Sequence, residues 1–142
     1  MNNTNAHLFQ SWADTLYPTY TNPLLEVGFQ GKYNHLKAFV ITNAFSINML
    51  SMDSNLKFIQ LKEAEARWIA ENFQHSSAVG HADTAAVLST VLGVDVPMNR
   101  TTLQMEHGVA LLVGQYKGPR LPEGATALPE GATIEWWLVR QV

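Results

Sequence analysis

Leu36-Lys37-Ala38-Phe39-Val40-Ile41-Thr42 is a short, mostly apolar run that breaks off at Asn43-Ala44-Phe45-Ser46. Unbroken apolar character over so few residues is the signature of a buried strand, and the polar residues that follow cannot continue it through a core. Asn43 and Ser46 therefore stand at the carboxyl end of a buried strand, the place where ligands bind in open sheets with parallel strands. A second strand is expected at Leu56–Leu61. A helix over Lys62–Phe73 follows, with Ala66, Ile69, Ala70 and Phe73 on one face. After the short apolar step Ala78-Val79 comes Gly80-His81, then a second helix over Ala82–Leu92, with Gly93 suited to the left-handed turn past its end.

Val94–Arg100 reads as a loop containing Pro97. Thr101–Glu106 and Val109–Tyr116 read as two strands joined in a hairpin at His107-Gly108. Gly118–Gly131 is a Pro/Gly-rich connection, and Ile134–Arg140 closes the chain as a strand. Strands and helices alternate early and a hairpin comes late. That order predicts an α+β architecture, a mixed sheet flanked by helices. Within the connection, Leu-Pro-Glu-Gly-Ala-Thr occurs at Leu121–Thr126 and again at Leu128–Thr133. Two copies of six residues are a local duplication in a loop and not a solenoid.

Upstream of the buried strand, residues 1–34 read as an extension and residues 35–142 as the domain. Asn3, Thr4 or Asn5 can cap a short helix with Leu8, Phe9, Trp12, Ala13, Leu16 and Tyr17 on one stripe, ended by Pro18. Leu25–Gly31 resembles the cleavage linker of picornaviral proteases apart from Gly28.

The 142 residues suit one domain; 46% are apolar, enough for a packed core. No apolar run reaches the roughly 18 residues of a membrane span, and the amino-terminal residues lack the layout of a secretory signal. There is no cysteine, hence no disulfide and no thiolate zinc site, and the expected home is a reducing cytoplasm. With 9 Lys+Arg against 12 Asp+Glu the net charge is −3 and no basic run exists, so binding of long DNA or RNA through charge is not expected.

Most enzyme templates are absent, including His-Glu-x-x-His, the phosphate loop and Gly-x-Ser-x-Gly. His75 and His81 miss the i, i+4 spacing of two ligands on one helix face, so no metal or other cofactor is expected. His81 is different. It stands at the start of a predicted helix, where backbone N–H groups and the helix dipole favour a phosphate, and the negative charge of a bound phosphate would push an adjacent imidazole towards the charged form that can donate a proton. Arg100 and Arg120 lie in Pro-containing loops, and guanidinium groups offer phosphate paired planar donors. Glu123 follows Arg120 by three residues.

Four blocks occur in order: Asn43-Ala44-Phe45-Ser46-Ile47-Asn48-Met49-Leu50, Ser77-Ala78-Val79-Gly80-His81-x-x-Thr84, Val96-Pro97-Met98-Asn99-Arg100 and Arg120-Leu121-Pro122-Glu123-Gly124. Together they resemble the viral ring nucleases, the type III anti-CRISPR proteins, from about Leu36 to the end of the chain. The resemblance implies a small homodimer with a mixed, roughly five-stranded sheet. It implies metal-independent cleavage of cyclic tetra-adenylate, a cyclic oligoadenylate second messenger, into linear di-adenylates that no longer signal to type III CRISPR effectors. His81 would be the catalytic acid and Glu123 its support; Asn43, Ser46, Thr84, Arg100 and Arg120 would bind substrate. Glu123 is preferred to Glu130 because only Glu123 follows an arginine at the family's spacing. Asp83, two residues after His81, departs from the family's pattern. A sponge that binds a cyclic nucleotide without cutting it is the alternative.

Overall fold

The computed structural model describes residues 38–142, His107 excepted. The predicted amino-terminal helix, its linker and the 34/35 boundary lie outside the described residues. Among the described residues the sheet has five strands: β1 (Ala38–Thr42), β2 (Leu56–Leu61), β3 (His75–Ser77), β4 (Val109–Lys117) and β5 (Thr133–Gln141), in the order β2-β5-β4-β1-β3. β1 runs parallel to both β3 and β4, whereas β5 runs antiparallel to β4 and β2. The helices α1 (Glu63–Asn72) and α2 (Ala82–Leu92) carry the chain from β2 to β3 and from β3 towards β4. The α+β mixed sheet predicted from the order of elements is the fold.

α1 begins after Lys62, whose backbone N–H donates to the Glu65 carboxylate at 2.7 Å, and Glu63 and Glu65 sit where the helix dipole favours acids. α2 ends at Gly93, which adopts φ 75° as a left-handed terminator. The helices are joined by Arg67 of α1, which donates from Nε and Nη2 to the Val91 carbonyl at 3.2 and 3.0 Å, near the end of α2.

Side-chain alternation sorts the sheet into two faces. Phe39 stacks obliquely on Phe73, at the end of α1, with ring centroids 5.0 Å apart. Phe39, Ala110, Ile41, Leu112, Leu138 and Trp136, linked by strand register, share this helix side and are buried. The opposite face buries Leu111, Val113 and Val139 beneath Met105, with Phe45, Met49, Leu50 and Leu103 packed against them.

That second face takes up a segment whose sequence predicts a strand. Thr101–Glu106 is not a strand, and no hairpin joins it to β4. Its alternating Leu103 and Met105 lie across the sheet instead of pairing with its edge, and the Met105 N–H donates to the Met49 carbonyl at 2.8 Å. The fifth strand is β3, whose His-Ser-Ser sequence has no apolar pattern and is recruited by backbone pairing with β1.

Candidate functional site

Since β1 lies between β3 and β4 and parallel to both, the carboxyl ends of all three strands meet one edge of the sheet. Three loops leave from that edge: Asn43 onwards after β1, Ala78–His81 after β3, and Gly118 onwards after β4.

The β3 loop is laced to Pro97–Arg100. The buried Ser77 donates its hydroxyl to the Pro97 carbonyl at 2.7 Å and accepts from the Val79 N–H at 3.2 Å. Asn99 completes the lacing, its side-chain Nδ2 donating to the Ser77 carbonyl at 2.7 Å and its backbone N–H to the Val79 carbonyl at 2.8 Å. Arg100 is thereby laid along Gly80, donating from Nη2 to the Gly80 carbonyl at 3.2 Å. The next residue, His81, is the N-cap of α2 with extended backbone, and its side chain makes no capping hydrogen bond. The exposed imidazole is therefore available to the space in front of the helix.

The β4 loop faces that space. Gly118 has φ 152°, and a Cβ there would approach Ala132 Cβ to 2.7 Å and Ala132 Cα to 2.9 Å, so the chain needs glycine at this point. Tyr116, on the helix side of β4, fixes the departure by donating its hydroxyl to the Pro119 carbonyl. The loop then runs along α2: Asp83 Oδ1 accepts from the Gly124 N–H at 3.0 Å, and the Thr90 hydroxyl donates to the Thr126 carbonyl at 2.6 Å.

These elements enclose an open cavity of about 1000 Å³, lined by His81, Asp83, Thr84, Tyr116, Gly118, Arg120 and Leu121 through Glu123. Four expected site residues therefore share it: His81, Thr84, Arg120 and Glu123. Glu130 does not line it. Arg100 flanks the cavity through Gly80 without lining it. Asn43 and Ser46 belong to the same sheet edge but do not line it; the Ser46 hydroxyl instead accepts from the Asn48 N–H at 3.2 Å, capping a 3-10 turn at Ile47–Met49. Sequence reasoning missed Tyr116 as a wall of the site. The available signal was its place on the helix side, near the carboxyl end of a strand parallel to β1.

Chemically, the cavity offers a guanidinium for an anion, an imidazole at a helix N-terminus for proton transfer, and two carboxylates, Asp83 and Glu123, in the same lining. Among the described residues no group of three or more His, Cys, Asp or Glu side chains is arranged to hold a metal ion.

Comparison with known proteins gives relatives from viruses. Uncharacterized protein 26 of Sulfolobus islandicus filamentous virus (isolate Iceland/Hveragerdi) is 40% identical over 65 residues, covering 46% of this chain and 54% of that protein. Uncharacterized protein ORF117 of Acidianus two-tailed virus is 36% identical over 80 residues, covering 56% of this chain and 60% of that protein. The chain thus spans little more than half the length of these curated relatives. In structure it is similar to B116 of Sulfolobus turreted icosahedral virus, with a TM-score of 0.60 and 26% identity over 72% of this chain and 98% of that one. A family model described as STIV B116-like matches residues 39–133, a range that takes in the sheet from β1 to the start of β5 and every wall of the cavity, and this chain belongs to that family.

Proposed function

We propose that this protein is a metal-independent ring nuclease that binds cyclic tetra-adenylate and cuts it into linear di-adenylates, silencing type III CRISPR effectors that need the ring. The observation that carries this reading is the convergence of His81, Thr84, Arg120 and Glu123, from two distant segments, on one cavity. Membership of a family with viral relatives and the four-block resemblance to viral ring nucleases support it. The cavity volume, about 1000 Å³, is at the upper end of small-molecule sites and suits nucleotides.

In the reaction a ribose 2′-oxygen attacks the adjacent phosphorus and loses its proton to solvent. The bond from phosphorus to the 5′-oxygen breaks, and His81 protonates that leaving oxygen. The products of two such cuts are two di-adenylates, each with a 2′,3′-cyclic phosphate and a 5′-hydroxyl. Arg120 holds the phosphate and offsets the charge that builds on it, with Arg100 adding positive charge from the flank. Glu123 orients the imidazole, and Thr84, Asn43 and Ser46 contact the rest of the ring. A two-fold homodimer would give the ring one such site per protomer. The reaction would take place in the cytoplasm, that of the host cell for a viral protein; among the described residues no helix is long and apolar enough to cross a membrane.

Chromatography of products after incubation with cyclic tetra-adenylate and a chelator tests the reading. Linear di-adenylates are expected, and His81→Ala should keep binding while cleavage falls by about 10²–10⁴-fold, the usual worth of a general acid. An intact ring after long exposure to excess protein would overturn the enzyme. Tight binding without turnover would leave the sequestering alternative in its place.

A further inference from the structure

The carboxylate of Asp83 lines a cavity assigned here to an anionic ligand, where an uncommitted negative charge would repel it. Its Oδ1 is committed. It accepts the Gly124 N–H at 3.0 Å, across 41 residues of chain. Gly124 is the third residue of the turn Pro122-Glu123-Gly124-Ala125, closed by the Ala125 N–H donating to the Pro122 carbonyl at 3.1 Å, and its φ of 80° is the left-handed value that glycine readily supplies at that position of a type II turn. Glu123 is the neighbouring residue of the same turn. The duplicate, Pro129–Ala132, closes in the same way through Ala132 N–H and the Pro129 carbonyl at 3.1 Å, with Gly131 at φ 83°. Among the described residues, only the first copy is tied to α2, at Asp83 and again two residues later through Thr90 and the Thr126 carbonyl.

From this geometry we infer that Asp83 is a positioning residue: by accepting the Gly124 N–H it docks the Glu123 turn onto the first turn of α2, so that Glu123 and His81 border one cavity. Acceptor geometry, and not negative charge, is what the role needs. An amide oxygen at the same place can accept the same N–H; a methyl group cannot. The kinetic arm of the test rests on the ring-cleavage reading, and the spectroscopic arm does not.

The experiment compares Asp83→Asn with Asp83→Ala in otherwise unaltered full-length protein. In ¹⁵N-labelled samples without ligand, exchange of the Gly124 amide should quicken about tenfold in Asp83→Ala, the loss expected for one net hydrogen bond, and stay near wild type in Asp83→Asn. With cyclic tetra-adenylate, Asp83→Ala should lower kcat by about ten- to a hundredfold through misplacement of Glu123 while KM moves by less than about threefold; Asp83→Asn should restore most of kcat. Melting temperatures of both variants check that they fold. Equal Gly124 exchange in the two variants overturns the docking role whether or not the ring is cut. Equal kcat in the two variants overturns its link to catalysis. If wild-type protein leaves the ring intact, the ring-cleavage reading fails, and the amide comparison still decides whether Asp83 docks the turn.

Discussion

Gly114 sits beneath the indole of Trp136, its partner across β4 and β5. A Cβ there would come within 2.5 Å of Trp136 Cζ3 and 2.8 Å of Cη2. The indole is buried and rigid, so it cannot swing aside as the tip of a lysine would. Gly114→Ala should therefore destabilise the fold by about 1–3 kcal/mol, the cost of overpacking a core, read as a lower melting temperature at unchanged secondary structure. A melting temperature equal to wild type would mean that the indole has room to shift. Glu71 tells a different story at the same scale. Burial pushes its carboxyl above the usual glutamate range, against the lowering pull of the Arg67 guanidinium. A carboxyl raised in this way binds its proton more tightly in the folded than in the unfolded chain. Its stabilising contribution is complete below the unfolded value and is lost as pH rises through the folded one. Glu71→Gln should accordingly raise the melting temperature near neutral pH and give no gain in acid. A gain that is the same at both ends would contradict the assignment.

The two copies of Leu-Pro-Glu-Gly-Ala-Thr show how an element assigns roles that its sequence leaves open. The copies are seven residues apart. For the second to take the place of the first, β5 would have to slide by that odd number, turning Trp136 and Leu138 away from the helices. The paired register of β5 with both β4 and β2 resists this. Glu123→Gln should then lower ring cleavage by at least about tenfold, as loss of the group orienting the general acid, while Glu130→Gln should leave it unchanged. Equal losses from the two substitutions would show that the copies share the role. That Glu123, and not Glu130, borders the cavity was legible from its position relative to Arg120. So were α2 and β2, whose bounds follow directly from apolar periodicity and the Gly93 stop. β3 was not legible, because His75-Ser76-Ser77 becomes a strand through backbone bonds that flanking β1 provides: Phe39 N–H to the Gln74 carbonyl at 3.1 Å and Ala78 N–H to the Ile41 carbonyl at 2.9 Å. The alternation in Thr101–Glu106 was real but reported packing over the sheet, a distinction that periodicity alone cannot draw. For the site, the motifs pointed to His81, Thr84, Arg120 and Glu123, which line the cavity, and to Asn43, Ser46 and Arg100, which do not. Asp83 and Tyr116 touch loop backbone, at Gly124 and Pro119; such contacts leave no pattern in the sequence, and the signal for Tyr116 was only its place near the carboxyl end of a strand.

Over the whole molecule, charge and topology pull in opposite directions. The net charge of −3 opposes a polyanion at long range, so attraction has to be local, at the edge where β1, β3 and β4 end. A site of this kind should discriminate by shape: a compact ring that fits the cavity gains the local cations, and a long linear strand pays the general repulsion for few contacts. Ligand binding to the folded state alone raises stability by RT ln(1 + [L]/Kd), about 2.7 kcal/mol at a hundredfold excess over Kd. For a chain of this size that corresponds to a rise in melting temperature of roughly 5–10 °C. In His81→Ala protein, where the proposed cleavage should be slowed, cyclic tetra-adenylate should produce such a rise, and removing Arg120 as well should abolish most of it. A linear polyadenylate at the same nucleotide concentration should move the melting temperature by less than about 1 °C, since the sequence holds no run of basic residues to gather phosphates. Equal shifts from ring and strand would mean that phosphates bind by charge alone and that the shape of the cavity selects nothing.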